Sequence, residues 1–179
     1  GASYNVALAS VPETLVCTLT NGSGLVASTD VTSVAVACVP ATAGVSFTVS
    51  GLVQPDSVTV QLNGSGVNVL PTASRQVTRT ANGSASFDVA VPVGSSYQVV
   101  IAQQAVGNTC SVTNGSGTMG TAGVSNVLVS CSPNRYPVSG TITLWNEETA
   151  LLQLNGGETV RSNGPIGSTA NFPVVTPFQ

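Results

Sequence analysis

Cys17-Thr18-Leu19-Thr20-Asn21-Gly22-Ser23-Gly24 returns as Cys110-Ser111-Val112-Thr113-Asn114-Gly115-Ser116-Gly117, and the fold is read from this repeat. Extended outward, the match runs without a gap from Gly1–Cys38 to Gly94–Cys131, at a constant offset of 93 residues. Tyr4 meets Tyr97, and Cys38 meets Cys131. A second similarity runs toward the other end. Val49-Ser50-Gly51 matches Val138-Ser139-Gly140, Gln61-Leu62-Asn63-Gly64 matches Gln153-Leu154-Asn155-Gly156, and Phe47 and Phe87 match Tyr136 and Phe172. The chain therefore divides into a late half-unit (1–44), a complete unit (45–134) and an early half-unit (135–179). The halves together hold 89 residues against 90 in the whole unit. A unit split across the two ends of a chain cannot bury its apolar face until something completes it.

Strand signals fill the unit. Tyr4–Leu8, Val45–Val49, Ser57–Leu62, Ser86–Val91, Tyr97–Ile101, Val124–Cys131 and Thr141–Leu144 are short, Val- and Thr-rich, and bounded by Gly, Asn, Pro or Ser. Alternation places Val34, Val36 and Cys38 on one face, with Val127, Val129 and Cys131 as their equivalents. Glu147–Leu154 comes nearest to a helical period and reads better as a turn followed by a strand. Asn-Gly steps at Asn21, Asn63, Asn82, Asn114 and Asn155 separate strand-like runs and supply the positive φ of tight hairpin turns. Four of them are also formal glycosylation sequons, but turn chemistry alone accounts for their recurrence. The expected fold is all-β: immunoglobulin-like antiparallel β-sandwich repeats, one whole and one split between the chain ends.

Composition narrows the function. Of 179 residues, 6% are charged and 42% apolar, with a net charge of −3 and no His. The four cations are Arg75, Arg79, Arg135 and Arg161, and they form no basic patch, so nucleic acid is not an expected partner. No apolar run is long enough for a membrane helix, so no membrane insertion is expected. No signal peptide is recognisable, so a secreted chain would be a mature or excised form. A neutral, weakly self-repelling surface favours self-association. The chain also lacks Lys, which together with the missing His excludes Ser-His-Asp, Cys-His and Ser-Lys arrangements within one chain. Glu147-Glu148 are adjacent and would point to opposite faces of a strand, unlike the paired carboxylates of a glycosidase. Asp30, Asp56 and Asp88 are isolated, and no Asp-x-Asp calcium motif occurs. The expectation is a protein that is not an enzyme and takes no metal and no cofactor.

Cys17 and Cys38, like Cys110 and Cys131, stand 21 residues apart. Repeat equivalence makes Cys17–Cys38 and Cys110–Cys131 the natural choice among the three connectivities. A loop of this size closed by a disulfide contributes roughly 3 kcal/mol in the chain-entropy model. Zinc is disfavoured by the absence of His and of Cys-x-x-Cys spacing. Paired cysteines imply an oxidising compartment, and the expected location is extracellular or at a cell surface. Trp145 and Phe178 have no aromatic counterpart in the repeat. With Phe172 and Tyr4 near the point where the two halves would join, they are the candidate interface residues.

The sequence Tyr-x-Val-x-(Leu/Ile)-Ala, then Cys-x-(Leu/Val)-Thr-Asn-Gly-Ser-Gly, then Val-(Thr/Ser)-x-Val-x-Val-x-Cys resembles tandem repeats of long bacterial cell-surface and secreted proteins. The resemblance continues through Phe47–Gly51 and Tyr136–Gly140 to the Leu154-Asn155-Gly156-Gly157 turn, and so covers nearly the whole chain. It implies a stalk, adhesin or fibre role. This chain departs from that group in being short and in carrying no anchor or sorting signal. Two functions are expected to compete. The first is a structural subunit, or a segment of a repeat protein, assembled head to tail with itself as residues 135–179 of one copy complete 1–44 of the next. The second is an adhesin stalk or binding module recognising glycan or protein through its loops. The two half-units could also close on each other within one chain.

Overall fold

A computed structural model describes residues 1–67, 70–136, 138–141, 149–153, 159–163 and 169–172. Its first third holds β1 (Ser3–Asn5), β2 (Leu15–Thr20), β3 (Ser23–Leu25), β4 (Ala35–Pro40) and β5 (Thr42–Ala43). The middle holds β6 (Val45–Ser50), β7 (Val58–Gly64), β8 (Gln76–Arg79), β9 (Gly83–Ser86), β10 (Val91–Pro92), β11 (Ser96–Gln103), β12 (Asn108–Thr113), β13 (Ser116–Thr118) and β14 (Val124–Pro133). The last third holds β15 (Val138–Thr141), β16 (Thr149–Gln153), β17 (Thr159–Asn163) and β18 (Thr169–Phe172). One short 3₁₀ turn, Thr72–Arg75, precedes β8.

The middle third is a sandwich of two four-stranded sheets, ordered β12-β14-β6-β9 and β13-β11-β7-β8. Alternation explains its core. Val45, Phe47 and Val49 of β6 are buried, as are Val58, Val60 and Leu62 of β7, each separated by a less buried neighbour. These meet Tyr97, Val99, Cys110, Val127 and Val129 in one apolar cluster. Phe47 packs on Phe87 with ring centroids 5.2 Å apart and planes tilted by 42°, within the range of favourable aromatic pairs. Every buried apolar residue among those described lies between Ala43 and Cys131.

Three features differ from the sequence expectation. First, the sandwich is not wholly antiparallel, because β6 pairs with β14 in parallel. Second, β6 and β7, consecutive in the chain, lie in different sheets, whereas the first two strands of an immunoglobulin constant domain share one sheet. Residues 51–57 cross from one sheet to the other, so that β7 pairs with β8 and β11 rather than with β6. Third, Thr42–Ala43 pairs with Val91–Pro92, so pairing in the complete unit begins three residues before Val45. Ala41 links this edge to the first third: its N–H donates to the Thr14 carbonyl (2.9 Å), and its carbonyl accepts from the Val93 N–H (2.8 Å).

The repeat carries its local structure with it. β1 pairs with β3 as β11 pairs with β13, residue for residue at the offset of 93. β2 pairs with β4 as β12 pairs with β14, over all six residue pairs. Asn21 and Asn114 take φ of 53° and 55°, and their side-chain amides donate to the Ser33 and Asn126 carbonyls. The expected positive φ is present, but these steps lead β2 into β3 and β12 into β13, strands of different sheets, so they do not close the hairpins that Asn-Gly predicts. Gly24 and Gly117 lie beneath the rings of Tyr4 and Tyr97, where an added Cβ would approach to 2.9 Å and 3.1 Å. That close approach explains why glycine recurs there.

Val129 is fully buried, while its repeat equivalent Val36 is 52% exposed. Val129→Ala should therefore destabilise the central sandwich by about 2–3 kcal/mol in urea denaturation, from the lost methyl groups and the cavity left behind. Val36→Ala should change it by less than about 0.5 kcal/mol in dilute solution.

Candidate functional site

Cys17 faces Cys38, and Cys110 faces Cys131, as directly opposed residues of β2–β4 and β12–β14. Both pairs are disulfides, and no cysteine is free. The compartment is therefore oxidising and non-cytoplasmic. No helix among the described residues is long and apolar enough to cross a membrane.

Among the described residues no three metal-ligating side chains gather. Asp56 is spent on structure: one carboxylate oxygen accepts from the Gly107 N–H (2.7 Å) and from the Asn108 side-chain amide (2.6 Å). The concavity beside Tyr4 contains a single carboxylate, Asp30. Arg75 is buried, donating to the Leu70 and Leu62 carbonyls and to Asn63 Oδ1.

What stands out instead is the state of the two outer thirds. The first consists of two two-stranded sheets, β1-β3 and β2-β4, and the last of two more, β15-β18 and β16-β17. These are the halves of the central sandwich. Joining β2-β4 to β15-β18 would give the order of β12-β14-β6-β9, and joining β3-β1 to β16-β17 would give the order of β13-β11-β7-β8. Among the described residues no strand of the first third pairs with any strand of the last.

The strands end where the described residues supply no partner. β11 runs for eight residues because it pairs first with β13 and then with β7; β1, paired among the described residues only with β3, stops after three. β14 runs for ten residues, its N-terminal part alongside β6; β4 keeps only the six that face β2. The exposed side chains correspond to this. Of sixteen large apolar residues exposed among those described, nine lie within residues 1–44. On the other half, Tyr136 is 57% exposed where Phe47 is 1%, and Val138 is 42% exposed where Val49 is 1%. Of the nine, Val6, Val26 and Val36 are the repeat equivalents of buried Val99, Met119 and Val129, so each half-unit presents some of the side chains that the complete unit buries.

One hairpin of the last third departs from the template in register. β15–β18 is displaced by four residues. The Phe87 N–H reaches the Val45 carbonyl, whereas Phe172 lies opposite Val138, the counterpart of Val49. An even displacement keeps each residue on its own face. β6 is held by strands on both edges, while β15 has one partner among the described strands, so less specifies its register.

Of the candidate interface residues, Tyr4 lies at an open face, half-buried, its hydroxyl donating to the Asn21 carbonyl (3.1 Å). Phe172 ends β18, and only its backbone is described. Trp145 and Phe178, like Glu147-Glu148, fall outside the described residues. The strand edges of β1, β4, β15 and β16 were not singled out from the sequence, because period-2 alternation shows which face is apolar but not which edge lacks a partner. Comparison with protein-family models, with curated proteins and with solved structures found no match.

The disulfides offer a direct check on this asymmetry. Cys110 and Cys131 are buried, whereas Cys38 is exposed and Cys17 half-buried. Under limiting reductant followed by alkylation and peptide mapping, Cys17–Cys38 should open first, with Cys110–Cys131 persisting until the sandwich unfolds. Equal rates for both would mean that the first half-unit is already covered.

Proposed function

We propose that this chain is a structural subunit, or a repeat segment, of an extracellular bacterial filament that assembles head to tail by β-sandwich complementation. The observation that carries this reading is the correspondence of four two-stranded sheets at the chain ends to the two four-stranded sheets of the central unit. Residues 135–179 of one copy complete 1–44 of the next. A contact of this kind joins different surfaces on the two partners and need not close on itself, so it extends into a filament. Main-chain hydrogen bonds across the new edges supply affinity, and the alternate side chains supply specificity.

The same chemistry works along one longer polypeptide. If Gln179 were followed covalently by another copy's Gly1, the completed unit would be a bead on a string. The sparse charge and the surface of Ser, Thr, Asn and Gly suit a spacer or fibre better than a catalyst. The resemblance of the Cys–Asn-Gly-Ser-Gly–Cys module to bacterial surface repeats points to the same setting. Glycan or protein recognition by the loops would need no filament, so electron microscopy separates the two functions.

The full chain should form filaments in negative stain and sediment with an apparent mass that rises with concentration. A chain ending at Asn134 should keep the central sandwich and its Cys110–Cys131 disulfide but remain monomeric. A full-length chain that stays monomeric at high concentration, or a truncated one that still forms fibres, would overturn the proposal.

A further inference from the structure

We propose that the open edge of β4 takes β15 of a second copy in parallel, with Val36 opposite Val138, while β1 takes that copy's β16 antiparallel, with Leu8 opposite Leu152. This inference rests on the assembly reading above and adds direction, register and the residues in contact. Edge addition to an antiparallel hairpin such as β2–β4 would by default be antiparallel, since antiparallel pairs are the commoner kind. The chain itself contains the counterexample. β14, the repeat equivalent of β4, holds β6 in parallel, with Val127 opposite Phe47 and Val129 opposite Val49. Carried through the repeat equivalences, these pairs become Val34 with Tyr136 and Val36 with Val138. Likewise Ile101 opposite Val60 becomes Leu8 with Leu152.

Connection length supports the same geometry. Seven residues (51–57) separate β6 from β7, and seven (142–148) separate β15 from β16. In the complete unit that span lets consecutive strands enter opposite sheets. One incoming copy can therefore fill both open edges, but only if β15 runs parallel to β4. Reversing β15 would carry the start of β16 away from β1. In the proposed register Val36 and Val138, now 52% and 42% exposed, would meet as Val129 and Val49 do at 0% and 1%. The same joining would cover the Cys17–Cys38 disulfide, as Cys110–Cys131 is covered.

The test uses full-length chains carrying single substitutions, mixed so that any new link must join two molecules. Val36→Cys mixed with Val138→Cys, and Leu8→Cys mixed with Leu152→Cys, should each form an intermolecular disulfide on mild oxidation. Peptide mapping should find both native disulfides intact. Val36→Cys mixed with Thr141→Cys, three residues further along β15 and so out of the proposed register, should stay unlinked. The Leu8–Leu152 pair serves as an independent reading should either valine variant fold poorly. Association by sedimentation together with linkage in a different register, or of the control pair, would overturn the parallel register and leave the assembly reading standing. Neither association nor linkage would overturn both. A Val36→Cys/Val138→Cys double variant that links within one molecule at high dilution would overturn intermolecular pairing and show the split unit closing in its own chain.

Discussion

The parallel pairing of β14 with β6 is the contact on which the rest of this molecule depends. It brings Val129 against Val49 and Val127 against Phe47 at the centre of the core. It joins the β12–β14 ribbon, cross-linked by Cys110–Cys131, to the β6–β9 ribbon, which carries the Phe47 ring onto Phe87. Each fully buried Val or Phe contributes about 1.5–3 kcal/mol relative to exposure, and this one pairing commits four of them. Without it, each ribbon would present a row of unpaired backbone groups beside a row of exposed valines.

That separated condition is what the chain ends display. β2–β4 is the same ribbon as β12–β14, with the same six residue pairs and the same disulfide, yet Val36 is exposed. The disulfide and the Asn21 amide, which donates to the Ser33 carbonyl, hold the ribbon together over a short span of chain. Neither can bury its apolar face, since burial needs a strand from elsewhere. Exposed edges beside apolar faces are aggregation-prone unless something specific covers them. The early half-unit has the matching deficit, with Tyr136 and Val138 exposed. Two surfaces that lack each other's partners are the physical basis for reading the chain as a link in an assembly.

The Cys17–Cys38 disulfide takes on a particular meaning in this light. In a complete unit the cysteine pair is a core element, as Cys110 and Cys131 are. In the half-unit the same tie holds β2 to β4 with Cys38 exposed.

The sequence by itself determined the repeat and its offset, the strand-rich character, the cysteine partners and the position of the Asn-Gly turns. All of these are local, or follow from equivalence between copies. Alternation along Val34, Val36 and Cys38 was enough to show an apolar face. Tertiary structure alone decided that β6 lies parallel to β14, that residues 51–57 cross between sheets, and that Thr42–Ala43 belongs to the central unit. It also decided the four-residue displacement of β15 on β18. The reason is that a two-residue period specifies which way a side chain points but says nothing about which distant strand lies alongside, in which direction, or whether any strand lies there at all. Strand partnership is a non-local choice, made where burying Val129 and Val49 together outweighs the alternatives.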